Sequence, residues 1–392
     1  MSNLGFGALE GFEGFEGFEG FEGFEGFEGF EGFAGARRSD PGALIAHRDG
    51  IVGTFAKSGT AWNSAPVAQG IPGPLDRWDP RIRRFLFESD LLSKLYFAVD
   101  TTVPAPNPTR DWATLWHLNE TVVASAQISP AGNWQKFITM RRPTEPILLA
   151  QLDYVNGYAD LRADRAREIV AQMAPPYAFW GTVVPLYRER HRRTLELVHL
   201  ALRLAKYGEM NFKHALVVRR PHEYSPQVQP IIETPIHGSL PSGHATEAYV
   251  VARVLFELVS TSPTGPGALA QLRLLLMAQA ARIAINRTVA GMHFPVDSMA
   301  GQLLGLSLGE YFIARCKAPT GTPGAGNVAA SVFDSELYPG NQNFSGTEIY
   351  DAGTGQPVNP LPAYAGNTPN AITVQTSPRL AWLWAQAAAE WQ

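Results

Sequence analysis

Between Lys213 and Asp297 the chain carries three clusters in a fixed order: Lys213…Arg220-Pro221, then Pro241-Ser242-Gly243-His244, then Arg287…His293…Asp297. Together they supply three cations, a serine hydroxyl beside a glycine, two histidines, and a carboxylate four residues after the second histidine. Any fold that uses them jointly must bring three separate stretches to one place. The inventory suits a tetrahedral or trigonal-bipyramidal oxyanion better than a metal cation. Cations and a helix N-terminus hold the oxygens, one imidazole attacks or ligates the centre, and the other moves protons.

Each cluster also has a plainer reading. Ser242-Gly243-His244 precedes a helical pattern, so its N–H groups can face an anion, or it can be an ordinary cap after a proline turn. Lys213 and Arg220 are seven residues apart, two helical turns on nearly one face, which fits a shared anion or a solvated basic surface. Gly291 reads as a helix stop, which places His293 at the entry to the next helix. Asp297, one turn on, can fix the His293 tautomer or simply cap that helix.

Apolar periodicity surrounds the clusters. Arg81–Ala98 has helical spacing with Phe85, Leu86, Leu91, Leu92 and Leu95 on one face. Leu152–Met173 repeats it and stops at Pro175-Pro176. Thr194–Tyr207 follows, with Gly208 in the place of a C-cap. His244–Ser260, Ala268–Val289 and a helix from Pro295 to about Ala314 complete the core, and Arg379–Trp391 reads as a short terminal helix. The expected fold class is all-α: a helical bundle preceded by a disordered N-terminal tail. Expected divisions are the tail at 1–40 and one domain at 41–392. Within the domain, 41–150 is read as peripheral helices and loops, 151–316 as the catalytic core, and 317–392 as a loop-rich extension.

From Glu10 to Phe33 the unit Glu-Gly-Phe repeats eight times. Glycine, phenylalanine and glutamate in that proportion cannot bury enough apolar surface to offset the entropy of ordering. The segment is either a functionless expansion or an adhesive region that docks to itself or to a basic partner. Its eight glutamates dominate a formal charge of −4, and without them the remainder is about +4, too weak to suggest nucleic-acid binding. Cys316 is the only cysteine, so neither an intrachain disulfide nor a cysteine metal cluster is available. No signal peptide is visible and no long apolar run stands out, Met299–Cys316 coming nearest. A soluble, cytoplasmic protein is expected, with other export routes and homo-oligomerisation left open.

The combined pattern resembles that of the superfamily uniting type 2 phosphatidic acid phosphatases, bacterial class A acid phosphatases and vanadium-dependent haloperoxidases. The pattern is Lys, six residues, Arg-Pro; Pro-Ser-Gly-His; and Ser-Arg, five residues, His, three residues, Asp. This chain departs only in having Asn286 where the pattern has serine. The resemblance implies a fold of the haloperoxidase and acid phosphatase type. It implies that Lys213, Arg220, Ser242, Gly243 and Arg287 hold the oxyanion, that His293 ligates vanadium or accepts a phosphoryl group, that His244 is the general acid/base, and that Asp297 orients His293. Pro241–Ala248 and Ala290–Asp297 look like the soluble bacterial haloperoxidase branch, while Gly238–Ser242 is close to the acid phosphatase form. His237, five residues before Ser242, stands where bromoperoxidases are similar in having histidine, which implies a preference for bromide or iodide. Vanadate is then the implied cofactor, with hydrogen peroxide, halide and a small organic acceptor as partners. A phosphomonoesterase is the alternative.

Overall fold

The computed structural model describes residues 41–52, 73–99, 111–118, 134–174, 176–260, 265–317 and 325–392. The Glu-Gly-Phe repeat lies outside them. The chain divides into two compact units, one comprising residues 1–69 with 173–175, the other 70–172 with 176–392. In the first unit the described structure is chiefly one helix, α1 (Pro41–Val52).

The second unit holds the three clusters. It opens with α2 (Pro80–Leu92), capped by Asp79, whose side chain accepts from the Arg81 N–H at 2.7 Å. The helical reading of 81–98 is cut short here, because Leu95–Val99 forms strand β1. Strands β2 (Trp112–Leu118) and β3 (Trp134–Arg141) follow. Helices α3 (Glu145–Gly157) and α4 (Arg162–Ala171) come next, separated by a 3₁₀ turn at Tyr158–Leu161. The single helix expected over 152–173 is therefore two, broken just after Gly157, a poor helix former. Beyond a short α5 (Tyr177–Gly181) lie α6 (Arg192–Leu216) and the one-turn α7 (Pro221–Tyr224). The long core helices are α8 (Gly243–Val259), α9 (Pro266–Val289) and α10 (Pro295–Cys316). Strands β4 (Ala325–Asp334), β5 (Tyr350–Asp351), β6 (Gln356–Pro357) and β7 (Ala365–Gln375) precede α11 (Pro378–Ala389).

The all-α expectation is overturned. Among the described residues there is a five-stranded mixed sheet in the order β1-β2-β3-β4-β7, and a separate β5-β6 hairpin. The β3–β4 pair is parallel, with Ile138 opposite Ser331, and the other neighbours are antiparallel. Thus 41–150 is not only helices and loops, and 317–392 is not chiefly loop. Two physical reasons hid the sheet. In β3, Phe137, Ile138 and Met140 are all 0 % exposed, so both faces are covered and no period-two alternation marks it. In β4, the small residues of Ala-Gly-Asn-Val-Ala-Ala have weak strand preference and are held extended by partners distant in sequence.

The sheet and α2 both pack on the helical core. Ser307 on α10 meets Ser331 on β4, oxygen to oxygen, at 2.9 Å, and the Tyr311 hydroxyl donates to the Leu91 carbonyl at 2.8 Å. Phe97 of β1 packs edge-on against Phe212, the neighbour of Lys213, with centroids 5.0 Å apart. Cys316 is buried and free.

At the centre, α8 and α10 lie almost backbone to backbone. Gly301 and Gly305 of α10 permit this: a β-carbon on Gly301 would meet the Ser242 carbonyl at 2.7 Å, and one on Gly305 the Thr246 carbonyl at 2.5 Å. The close seam brings the start of α8 beside the start of α10, where the Ser242 N–H donates to the Asp297 carbonyl at 2.9 Å. Helix α9 differs from expectation in hydropathy. Gly267–Val289 is long and apolar enough to cross a membrane by length and composition, whereas the apolar pattern puts Met299–Cys316 nearest to that length.

Candidate active site

The site is assembled from four chain reversals. The first follows α6. Gly208 does not stop this helix as expected; it is an interior position whose missing side chain admits Leu308, and the helix continues through Lys213 to Leu216. The reversal comes at Val217, in the left-handed region with φ 47°. A β-branched residue there is strained, by about 1–2 kcal/mol. Lys213 and Arg220 therefore do not share a helical face. They converge because the chain turns back between them.

Lys213 is 2 % exposed, and its Nζ donates to the carbonyls of Gly238 (3.2 Å) and Ser239 (3.1 Å). Burial, then the neighbouring Arg220 charge, pulls its pKa down to about 7. Arg220, also 2 % exposed, donates through Nε to the His237 carbonyl (3.2 Å) and through Nη1 to the Met292 carbonyl (3.1 Å). Its backbone N–H is fixed by Glu223 Oε2 at 2.6 Å. Burial lowers its pKa to about 10. His237 sets Nδ1 3.2 Å from Arg220 Nη2, and burial together with the Lys213 and Arg220 charges holds it neutral, near pKa 4.

The second reversal leads into α8. Ser242 caps it and is fully buried, and Gly243 is its first residue. A β-carbon on Gly243 would stand 2.9 Å from both carboxylate oxygens of Glu209, so any larger residue must displace that carboxylate. His244 is half-buried and directs Nε2 to the Gln172 carbonyl at 3.1 Å. A carbonyl only accepts, so Nε2 carries the hydrogen and Nδ1 keeps its lone pair. Burial, then Arg287, keeps its pKa well below the usual histidine range.

The third and fourth reversals end α9 and begin α10. Gly291, with φ 81°, stops α9 as its sequence position predicts, and the Met292 N–H closes the end on the Arg287 carbonyl at 2.9 Å. Asp297 Oδ2 accepts from the Phe294 N–H at 2.9 Å, capping α10, and from Ser239 Oγ. The same oxygen lies 3.2 Å from His293 Nδ1. Asp297 thus both caps the helix and holds the imidazole, so the two readings were not exclusive. His293 Nε2 is left facing Arg220 Nη1 at 3.4 Å. Burial and the surrounding cations keep His293 neutral, so Nε2 carries a lone pair. Burial raises the Asp297 pKa against its hydrogen bonds.

Arg287 supplies the clearest sign of a ligand. It is 1 % exposed, and Nη2 is held by the Gln172 Oε1 (3.0 Å) and Ile169 carbonyl (3.2 Å). Its Nε and Nη1 are buried without a protein partner. Two unpaired donors on a buried guanidinium call for an acceptor. With Lys213 and Arg220, Arg287 makes three buried basic side chains, of which Lys213 and Arg220 act directly on the neutral His293, and Asp297 is the carboxylate bonded to that imidazole. The charge excess and the donor set fit an oxyanion. Among the described residues no group of three or more His, Cys, Asp or Glu side chains is placed to hold a metal cation.

All the sequence-derived site residues lie in this region: Lys213, Arg220, His237, Ser242, Gly243, His244, Arg287, His293 and Asp297. Two contributors were not singled out. Ser239 Oγ, fully buried, lies 3.2 Å from His293 Nδ1 and donates to Asp297, completing the clamp on the imidazole. Gln172, also fully buried, binds both His244 and Arg287. Asn286, the one departure from the pattern, donates to Gln172 Oε1 at 3.0 Å and Glu168 Oε1 at 2.8 Å, so it acts on the site through Gln172. Ser239 was visible beside the second cluster. Gln172 lies 72 residues from His244 and 115 from Arg287, and no local spacing reports it.

Gln172→Ala is expected to lower turnover about 10- to 100-fold with a smaller change in substrate KM, since it frees Arg287 without removing it. Steady-state kinetics beside Gln172→Glu, which keeps an acceptor for Arg287, checks this; equal damage from both variants would point to misfolding.

No curated protein gives a significant match to this chain. The PAP2 superfamily model matches residues 197–317, a span that contains all three clusters and the helices that carry them, so the chain contains a PAP2 superfamily domain there.

Proposed function

We propose that this protein is a vanadate-dependent haloperoxidase that uses hydrogen peroxide to oxidise halide, bromide or iodide in preference, to hypohalous acid. The observation that carries the reading is the pair of buried Arg287 donors without a protein partner, together with a neutral His293 whose Nε2 faces the Arg220 guanidinium. Lys213, Arg220, Arg287, Ser242 and the start of α8 would hold the oxygens of vanadate, with His293 Nε2 as the protein ligand. Vanadate, when bound, supplies a Lewis-acidic centre that activates hydrogen peroxide toward halide without changing oxidation state. Asp297 and Ser239 keep hydrogen on His293 Nδ1 and hence the lone pair on Nε2. His244, neutral and anchored through Nε2, has Nδ1 available to take and return a proton. His237, against Arg220, is the residue proposed to tune the halide.

A phosphomonoesterase is the second reading, and the same His293 favours it. A neutral imidazole oriented by a carboxylate is also a nucleophile for phosphorus, with His244 protonating the leaving group. The PAP2 superfamily includes both phosphatases and haloperoxidases. One paired assay separates them. Protein incubated with orthovanadate is tested for bromination of an activated diketone with hydrogen peroxide, and vanadate-free protein for hydrolysis of a chromogenic phosphate ester. Bromination that requires vanadate supports the proposal. Ester hydrolysis that vanadate abolishes, without bromination, overturns it in favour of the phosphatase.

A further inference from the structure

Glu209 stands one helical turn before Lys213 on α6 and is 1 % exposed. Its carboxylate lies directly against Gly243, the first residue of α8. Oε1 accepts from Lys206 Nζ at 2.7 Å, and the same ammonium reaches Glu247 Oε1 at 3.1 Å. Oε2 is buried with no partner. One lysine thus serves two carboxylates, and an acceptor is left over beside the glycine that opens the anion cradle. The charge of Glu209 also acts on Lys213 and Arg220, favouring their cationic forms.

A carboxylate next to an anion site is at first sight a defect. It repels the ligand, and its own unpaired oxygen is costly to bury. Both penalties vanish if the ligand presents a hydroxyl, because an ionised carboxylate can only accept. We propose that Glu209 makes this site selective for tetrahedral oxyanions that carry a proton. A ligand hydroxyl donates to Glu209 Oε2 while the cations hold the remaining oxygens. An oxyanion of similar shape without a proton sets a bare oxygen against the carboxylate and is rejected. The inference rests on the oxyanion reading above and holds for its vanadate and phosphate versions alike. Both anions keep a proton near pH 8, where sulfate and molybdate have none.

The test is calorimetric titration of the full chain at about pH 8 with phosphate, sulfate, orthovanadate and molybdate. Wild-type protein is expected to prefer phosphate over sulfate, and vanadate over molybdate, by about 100-fold or more, the discrimination of a site built around a ligand hydroxyl. Glu209→Gln, nearly isosteric and able to donate, is expected to shrink both preferences to less than about tenfold, mainly by tighter sulfate and molybdate binding. Lys206→Met, which removes the ion pair but keeps the Glu209 acceptor, is expected to retain them. The proposal is overturned if wild-type protein binds the paired anions within tenfold, a comparison that needs no variant. It also falls if Glu209→Gln keeps the wild-type ratio, or if Lys206→Met abolishes it equally. Failure of wild-type protein to bind any of the four anions would instead reject the oxyanion site itself.

Discussion

His293→Ala protein is expected to lose at least about 10³-fold of turnover in whichever of the two assays the wild-type protein passes, because the proposed function makes His293 the group that meets the central atom. The loss should fall on turnover rather than on folding. His293 Nδ1 contacts Asp297 and Ser239, which still bond to each other, and Asp297 still caps α10 through the Phe294 N–H. Circular dichroism and a melting curve beside the kinetics check this. Residual activity within tenfold of wild type, in a folded variant, would mean that His293 does not touch the reacting centre. Because the geometry serves a vanadium ligand and a phosphorus nucleophile equally, the variant tests the site, and only the paired assay tests the branch.

Gly305→Val should produce the largest loss of stability among simple substitutions. A β-carbon at this position would meet the Thr246 carbonyl at 2.5 Å and the Tyr249 β-carbon at 2.8 Å. Neither is the end of a flexible side chain, so α8 and α10 must separate. Overpacking of this kind costs about 3 kcal/mol or more, and a branched residue adds its own penalty in a helix. The effect should reach the site as well, since the same seam sets Ser242 against Asp297. Urea melts and phosphate or vanadate titration of one preparation measure both. Gly267→Ala, where a β-carbon meets nothing within 4 Å, is the control and should be neutral or slightly stabilising. Matching midpoints for the two variants would show that the helices are not held at glycine distance.

Much of the site was legible because its chemistry sits at helix ends, and helix ends are written locally. Gly291 ends α9, Ser242 caps α8 and Pro295 opens α10 within a residue or two of their sequence signals. The resemblance supplied the roles, and the structure shows the named residues converging. The sheet was not legible. Its strands pair across long separations, Ile138 with Ser331 among them, and burial of both faces erased the alternation by which a strand is recognised.

The sequence by itself determined which groups the site contains and in what order. Cap residues, glycine stops and apolar periodicity act over a few neighbours, and such short-range terms survive in any one segment read alone. Only the tertiary structure decided how those groups are paired and charged. The strained turn at Val217 folds Arg220 back beside Lys213, Gln172 joins His244 to Arg287, and Glu209 is pressed against Gly243. Each depends on burial and on contacts between distant segments. Burial also leaves two Arg287 donors without a protein partner and pulls the pKa of both histidines down, and no single segment contains that information.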